Sequence, residues 1–188
     1  LKEDLMPYRG SRKHILDYVV RTDFLSSFNE IISLSGAKVE VNDFKQPKGR
    51  TDPRESKLVN EKDEQIKNLL NWEEVNSWWR VDRRGQLPNW DLVTTCTINE
   101  KRGLVLVEAK AHEGELDYGP KRSKKCASLK SKENHCKIGK AINEARQALE
   151  KNLNGEVNID IDKHYQLSNR IAFSWKIASM GIPVVLVY

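Results

Sequence analysis

The chain has 188 residues, 31% of them charged and 38% hydrophobic, with a formal net charge of +5. That length suffices for one domain with its own core, and the positive balance favours an anionic partner. No apolar run approaches a bilayer span, and the first residues, Leu1-Lys-Glu-Asp4, are not those of a signal peptide, so a cytoplasmic protein without membrane contact is expected.

In chain order, Ile15, Val19 and Val20, then Phe24, Phe28, Ile31 and Ile32, recur at helical spacing and predict one or two amphipathic helices over 13–35, closed by Ser35-Gly36. Ala37 to Val41 reads as a short strand. The polar stretch 42–63, with Pro47, Gly49 and Pro53, reads as a mobile loop, either simply solvated or tracking a phosphate backbone. Over 64–80, Ile66, Leu69 and Leu70 form one helical stripe and Trp72, Val75 and Trp79 another. A break near Asn71 is therefore expected, with Asn71-x-x-Glu74 as a capping box. Trp78 to Val81 is expected to begin a strand that turns at Asp82-Arg-Arg-Gly85.

Pro88 to His112 reads as a hairpin: a β-branched run to Ile98, a turn at Asn99-Glu-Lys-Arg102, and then Gly103-Leu-Val-Leu-Val-Glu-Ala-Lys110. Residues 137–153 give a helix with Ile138, Ala141, Ile142, Ala145, Leu149 and Leu153 along one side and Asn154-Gly155 as its stop. Val157, Ile159 and Ile161 alternate in an edge strand or extended connector. Asp162 is expected to cap a last helix, His164 to Met180, ended by Gly181, before a buried strand from Ile182 to Tyr188. Cys96, Cys126 and Cys136 show no paired spacing, which argues against a disulfide framework. Cys126, His135 and Cys136 also lack the fourth ligand of a structural zinc site.

Because strand side chains alternate, Leu104, Leu106, Glu108, Lys110 and His112 share one face and Val105, Val107, Ala109 and Ala111 the other. An antiparallel turn centred near residue 100 sets Asp91 almost opposite Glu108. Converging carboxylates repel unless a proton or cation lies between them, and Mg²⁺, a hard ion with oxygen ligands, suits the pair, with Mn²⁺ as a substitute. Lys110 beside them can orient a water, while His112 would steady the rim. On the last helix Gln166, Asn169 and Arg170 are spaced i, i+3, i+4 and form one polar patch.

Asp91, sixteen intervening residues, then Glu108-Ala109-Lys110 on an adjacent strand resembles the signature of the PD-(D/E)XK nuclease superfamily, the restriction-endonuclease-like fold. Trp90 stands where that pattern has proline, which is displaced here to Pro88, and the motif proper covers about a tenth of the chain. The resemblance implies an α/β fold: a mixed sheet made of an antiparallel meander near 78–112, a crossover helix and a further strand, flanked by helices. One domain would span 1–188, with an N-terminal helical part over about 1–63 and a catalytic core over about 64–188. It implies metal-dependent hydrolysis of phosphodiester bonds, with Asp91, Glu108 and the Ala109 carbonyl on Mg²⁺ and Lys110 assisting the attacking water. In many members an acid on the helix before the sheet completes the metal site, here Glu73 or Glu74. Gln166 would face the metal and Arg170 would hold a phosphate.

Between residues 121 and 140, Lys121, Arg122, Lys124, Lys125, Lys130, Lys132, Lys137 and Lys140 face the single acid Glu133. This segment follows the strand carrying Glu108, so it is expected beside the scissile phosphate, where it would supply salt-dependent affinity without sequence preference; a solvated loop is the alternative. The functional expectation is a DNA endonuclease. Its rivals are a nucleic-acid-binding module without turnover, and an interaction domain whose ionic row pairs with another subunit.

Overall fold

Phe24, Phe28 and Ile32, spaced i, i+4, i+8, are all buried, which fixes the inward face of α2 (Phe24–Ile32) behind α1 (Gly10–Tyr18). These helices begin the chain in the computed structural model, which describes residues 8–81, 86–113 and 128–188. Two short strands follow, β1 (Ala37–Lys38) and β2 (Lys45–Gln46), and then two short helices, α3 (Glu64–Lys67) and α4 (Trp72–Trp79). The hairpin is β3 (Leu92–Ile98) and β4 (Lys101–Val107). It is followed by α5 (Leu129–Leu153), α6 (Tyr165–Ser179) and β5 (Val184–Val187).

The sheet is mixed. Both β1 and β2 pair antiparallel with β3, with Ala37 opposite Ile98 and Lys45 opposite Thr94, so they are two pieces of one interrupted strand. β4 runs antiparallel to β3, and β5 runs parallel to β4 with Leu104 opposite Val184. Alternation divides the hydrophobic residues between two cores. Val93, Leu104 and Leu106 join Trp79, Ile142, Phe173 and Ile177 under α4, α5 and α6. Leu92, Cys96, Val105 and Val107 join Val19, Phe24 and Phe28 under α1 and α2. The mixed α/β architecture with helices on both faces matches expectation, and the strands contributed by residues 37–46 join the N-terminal part to the core in one sheet.

Several local expectations are corrected. Trp78 and Trp79 end α4 instead of starting a strand, because Trp72, Val75 and Trp79 bury one helical stripe; β1 and β2 supply the third antiparallel strand. The expected turn at Asp82–Gly85 lies outside the described residues. Asn71 makes no side-chain cap, and Glu74 pairs instead with Lys176 at 2.9 Å. α5 begins at Leu129, where Ser128 Oγ accepts from the Ser131 amide at 3.3 Å, so Lys130, Lys132, Lys137 and Lys140 are helical. Asp160, not Asp162, supports the approach to α6: its Oδ1 accepts from the amides of Asp162, at 2.7 Å, and Lys163. Residues 157–161 form a connector with Ile159 buried, and β5 is half-buried rather than buried.

The stretch 42–63 is fastened to the sheet. Phe44, Gln46, Ser56 and Leu58 are buried. Gln46 Nε2 donates to Arg54 O at 2.8 Å and Asp52 Oδ1 at 3.0 Å, and Ser56 forms an antiparallel bridge with Trp90. Among the described residues no helix is long and apolar enough to cross a membrane.

The hairpin turn has two residues, Asn99 and Glu100, with φ of 47° and 65°, and Lys101 and Arg102 already lie in β4. A two-residue turn with both residues left-handed matches the right-handed twist of its strands. Asn tolerates this backbone, whereas Glu100 carries the strain of a Cβ there. Glu100→Gly is therefore expected to stabilise the fold by about 0.5–1 kcal/mol, read as a higher urea midpoint with an unchanged slope. An unchanged or lower midpoint would show that the turn is unstrained.

Candidate active site

The pairing of Leu92 with Val107 continues one residue further, where the Asp91 amide donates to Val107 O at 3.1 Å. Asp91 thus stands across from Glu108, and both belong to the face that carries Val93 and Leu106. The Ala109 amide donates to Asp91 Oδ2 at 2.8 Å, and the Glu108 amide donates to Val187 O at 2.9 Å, so β5 also holds this backbone.

Glu108 is only 4% exposed. Its Oε1 accepts from Lys110 Nζ and from Gln166 Nε2, each at 2.7 Å, and its Oε2 accepts from Arg170 Nε at 2.7 Å. Lys110 Nζ also donates to Gln166 Oε1 at 2.7 Å. The spacing of 166, 169 and 170 on α6 sends these three side chains to one place. There the Arg170 guanidinium also donates to Asn169 Oδ1 and to Asn89 O, each at 2.7 Å, and lies over the Trp90 ring, 4.9 Å from its centre.

Among the described residues no cation is bonded to Asp91, though the Lys110 charge nearby favours its ionised form. Burial first, and then the nearby Glu108 charge, push its carboxyl up to about 6, against the Ala109 amide, which favours the charged form. Glu55 contributes in the same direction as Glu108. Its position follows from the Ser56–Trp90 bridge: in an antiparallel pair the next residues are also neighbours, so Glu55 comes to lie across from Asp91. Among the described residues, three acids, Glu55, Asp91 and Glu108, and three bases, Lys57, Lys110 and Arg170, line one cleft of about 710 Å³.

The donors fit a hard divalent ion. A carboxylate offers about four lone-pair positions; Glu108 uses three and Asp91 accepts one of the bonds described, so oxygen positions remain on both. Two carboxylates completed by water suit Mg²⁺ or Mn²⁺. A cation there would also relieve the repulsion from Glu108 that, after burial, raises Asp91.

The cleft brings together Asp91, Glu108, Lys110, Gln166 and Arg170. Arg170, expected on a phosphate, is 6% exposed and turned onto Glu108. Glu73 accepts from Asn76 at 3.3 Å and Glu74 pairs with Lys176, and neither lines the cleft. His112 is exposed and does not line it either, because β4 and its strict alternation end at Val107. Lys121, Arg122, Lys124, Lys125 and Cys126 lie outside the described residues. Cys136 is exposed on α5, and Cys96 is buried, which pushes its thiol up to about 12 and leaves it inert. Glu55, Lys57, Asn89 and Tyr165 were not anticipated; Glu55 and Lys57 arrive through a single bridge within a loop that has no hydrophobic alternation to reveal it.

The chain matches no protein-family model, no curated protein and no solved structure.

Proposed function

We propose that the protein is a Mg²⁺-dependent nuclease of the PD-(D/E)XK kind that cleaves phosphodiester bonds within DNA. The observation that carries the reading is the opposition of Asp91 and Glu108 across β3 and β4, with Lys110 bonded beside them. The antiparallel strands, the long helix α5 and the parallel strand β5 support a restriction-endonuclease-like arrangement.

Asp91, Glu108 and the Ala109 carbonyl would hold the ion. A bound Mg²⁺ supplies positive charge to a phosphate oxygen and lowers the pKa of a coordinated water. Lys110, held by Gln166 at 2.7 Å, donates to the attacking oxygen and offsets its developing charge. Arg170 and Gln166 fix the Glu108 carboxylate, so little reorganisation is needed on the protein side.

One observation favours a second reading. Three charged or amide donors already satisfy Glu108, as in a purely structural ion cluster, which suits a nucleic-acid-binding module without turnover. Supercoiled plasmid separates the two. The nuclease converts it to nicked and linear forms with Mg²⁺ or Mn²⁺ and not with EDTA, and Lys110→Ala slows the reaction by about a hundredfold or more. Binding without cleavage under any of these metals would establish the module.

A further inference from the structure

The three bases of the cleft are not equivalent. Lys110 and Arg170 are both committed to Glu108, while the Lys57 ammonium is exposed and makes no ion pair or hydrogen bond with any described residue. The antiparallel bridge between Ser56 and Trp90 buries Ser56 and turns its two neighbours the other way, into the cleft that Asp91 faces.

Lys57 also belongs to a second hollow. Glu55 and Lys57 form the shared wall between the 710 Å³ cleft and an adjoining space of about 530 Å³ lined by Arg54, Asn60, Glu61 and Lys62. Within that space Arg54 is spent on Glu61, with Nη1 at 2.8 Å and Nη2 at 3.2 Å, a brace that holds the loop in shape. Lys62 is exposed, and its ammonium has no partner among the described residues. Two ammonium groups without a partner among the described residues thus line these adjoining hollows, on a loop anchored by buried Gln46, Ser56 and Leu58.

We infer that the 54–62 loop is a phosphate-backbone track, on which Lys57 and Lys62 contact the nucleic-acid strand as it leaves the cleft beside Asp91. The inference rests on the nuclease reading and adds to it the surface that holds the polymer. Ammonium groups contact phosphate as point charges, so the track contributes affinity and alignment and no base preference. A substrate strand with phosphates on both lysines is also drawn across Glu55 and Asp91, whose negative charge a bound cation would offset.

The test is the salt dependence of binding. Affinity for short fluorescent DNA, duplex and single-stranded, is measured in EDTA between about 50 and about 200 mM salt for the wild type, Lys57→Ala, Lys62→Ala and the double variant. Lys101→Ala, at the far end of the hairpin, is the control for net charge. Each track substitution is expected to weaken binding several-fold and reduce the log–log salt slope by about one, the double variant by about two, and the control hardly at all. In cleavage assays KM should rise with kcat nearly unchanged. If the wild type cleaves and the track variants keep its slope and KM, the track is wrong and the nuclease reading survives. Equal losses in Lys101→Ala would also overturn it, by reducing the effect to overall charge. Failure of the wild type to bind or cleave any nucleic acid would overturn both.

Discussion

Replacing Asp91 by asparagine should remove Mg²⁺-dependent DNA cleavage, by about a thousandfold or more, and at the same time make the folded chain harder to melt at pH 8. The two effects share one cause. Burial and the Glu108 charge raise the Asp91 carboxyl from 3.8 to about 6, so the folded protein holds that proton more tightly than the unfolded chain. The neutral acid is tolerated below about pH 4, and stability is lost as pH rises through 4 to 6 and the charge forms. Allowing for its partial exposure, this costs about 2 kcal/mol at neutral pH and above. Asparagine keeps an oxygen for the Ala109 amide without the charge. The expected result is a higher melting temperature than wild type at pH 8, converging toward it near pH 4, and a stabilisation by added Mg²⁺ that wild type shows and the variant lacks. An asparagine variant that melts below wild type at pH 8 would contradict the electrostatic account of this site.

Arg170→Ala should be strongly destabilising, costing about 3–4 kcal/mol. Glu108 is 4% exposed, and removing the guanidinium takes away its Oε2 partner at 2.7 Å while also freeing Asn89 O and Asn169 Oδ1. A buried charge stripped of one partner carries most of its desolvation cost uncompensated. Lysine at 170 should not restore the loss, since one ammonium cannot reproduce a fork that reaches three acceptors and lies over Trp90. Combining Arg170→Met with Glu108→Gln should recover much of it. Urea titrations of the two single variants and the double variant measure the coupling. A value above about 1.5 kcal/mol is expected, and additivity within about 0.5 kcal/mol would mean that the pair contributes nothing specific.

The opposition of Asp91 and Glu108 was legible in the sequence because a hairpin carries its register in its own turn. The turn proved two residues shorter than read, which puts its centre between 99 and 100, close enough to the expected centre near residue 100 that Asp91, read as almost opposite Glu108, comes directly across from it. Alternation likewise carried Leu104, Leu106 and Glu108 to one face, and helical spacing carried Gln166 and Arg170 to one side of α6.

What was hidden depends on contacts distant in sequence. Glu55 reaches Asp91 through one bridge across a gap of more than thirty residues, in a segment where the polar Gln46 and Ser56 are buried alongside Phe44 and Leu58 and break up any apolar pattern. The first turns of α5 are rich in Lys and Ser and expose Leu129, so no apolar stripe announces them. Arg170 shows why a basic side chain in a polar patch is ambiguous: only the fold reveals that an acid lies close enough to claim it.

The fastening of Ser56 to Trp90 has a consequence for editing the gene. Removing or adding a single amino acid between positions 47 and 55 would shift the frame of this loop by one against its anchor. The serine would then look out into the opening, and glutamate or lysine would be driven under the tryptophan. Changes there should be accepted in twos and rejected in ones.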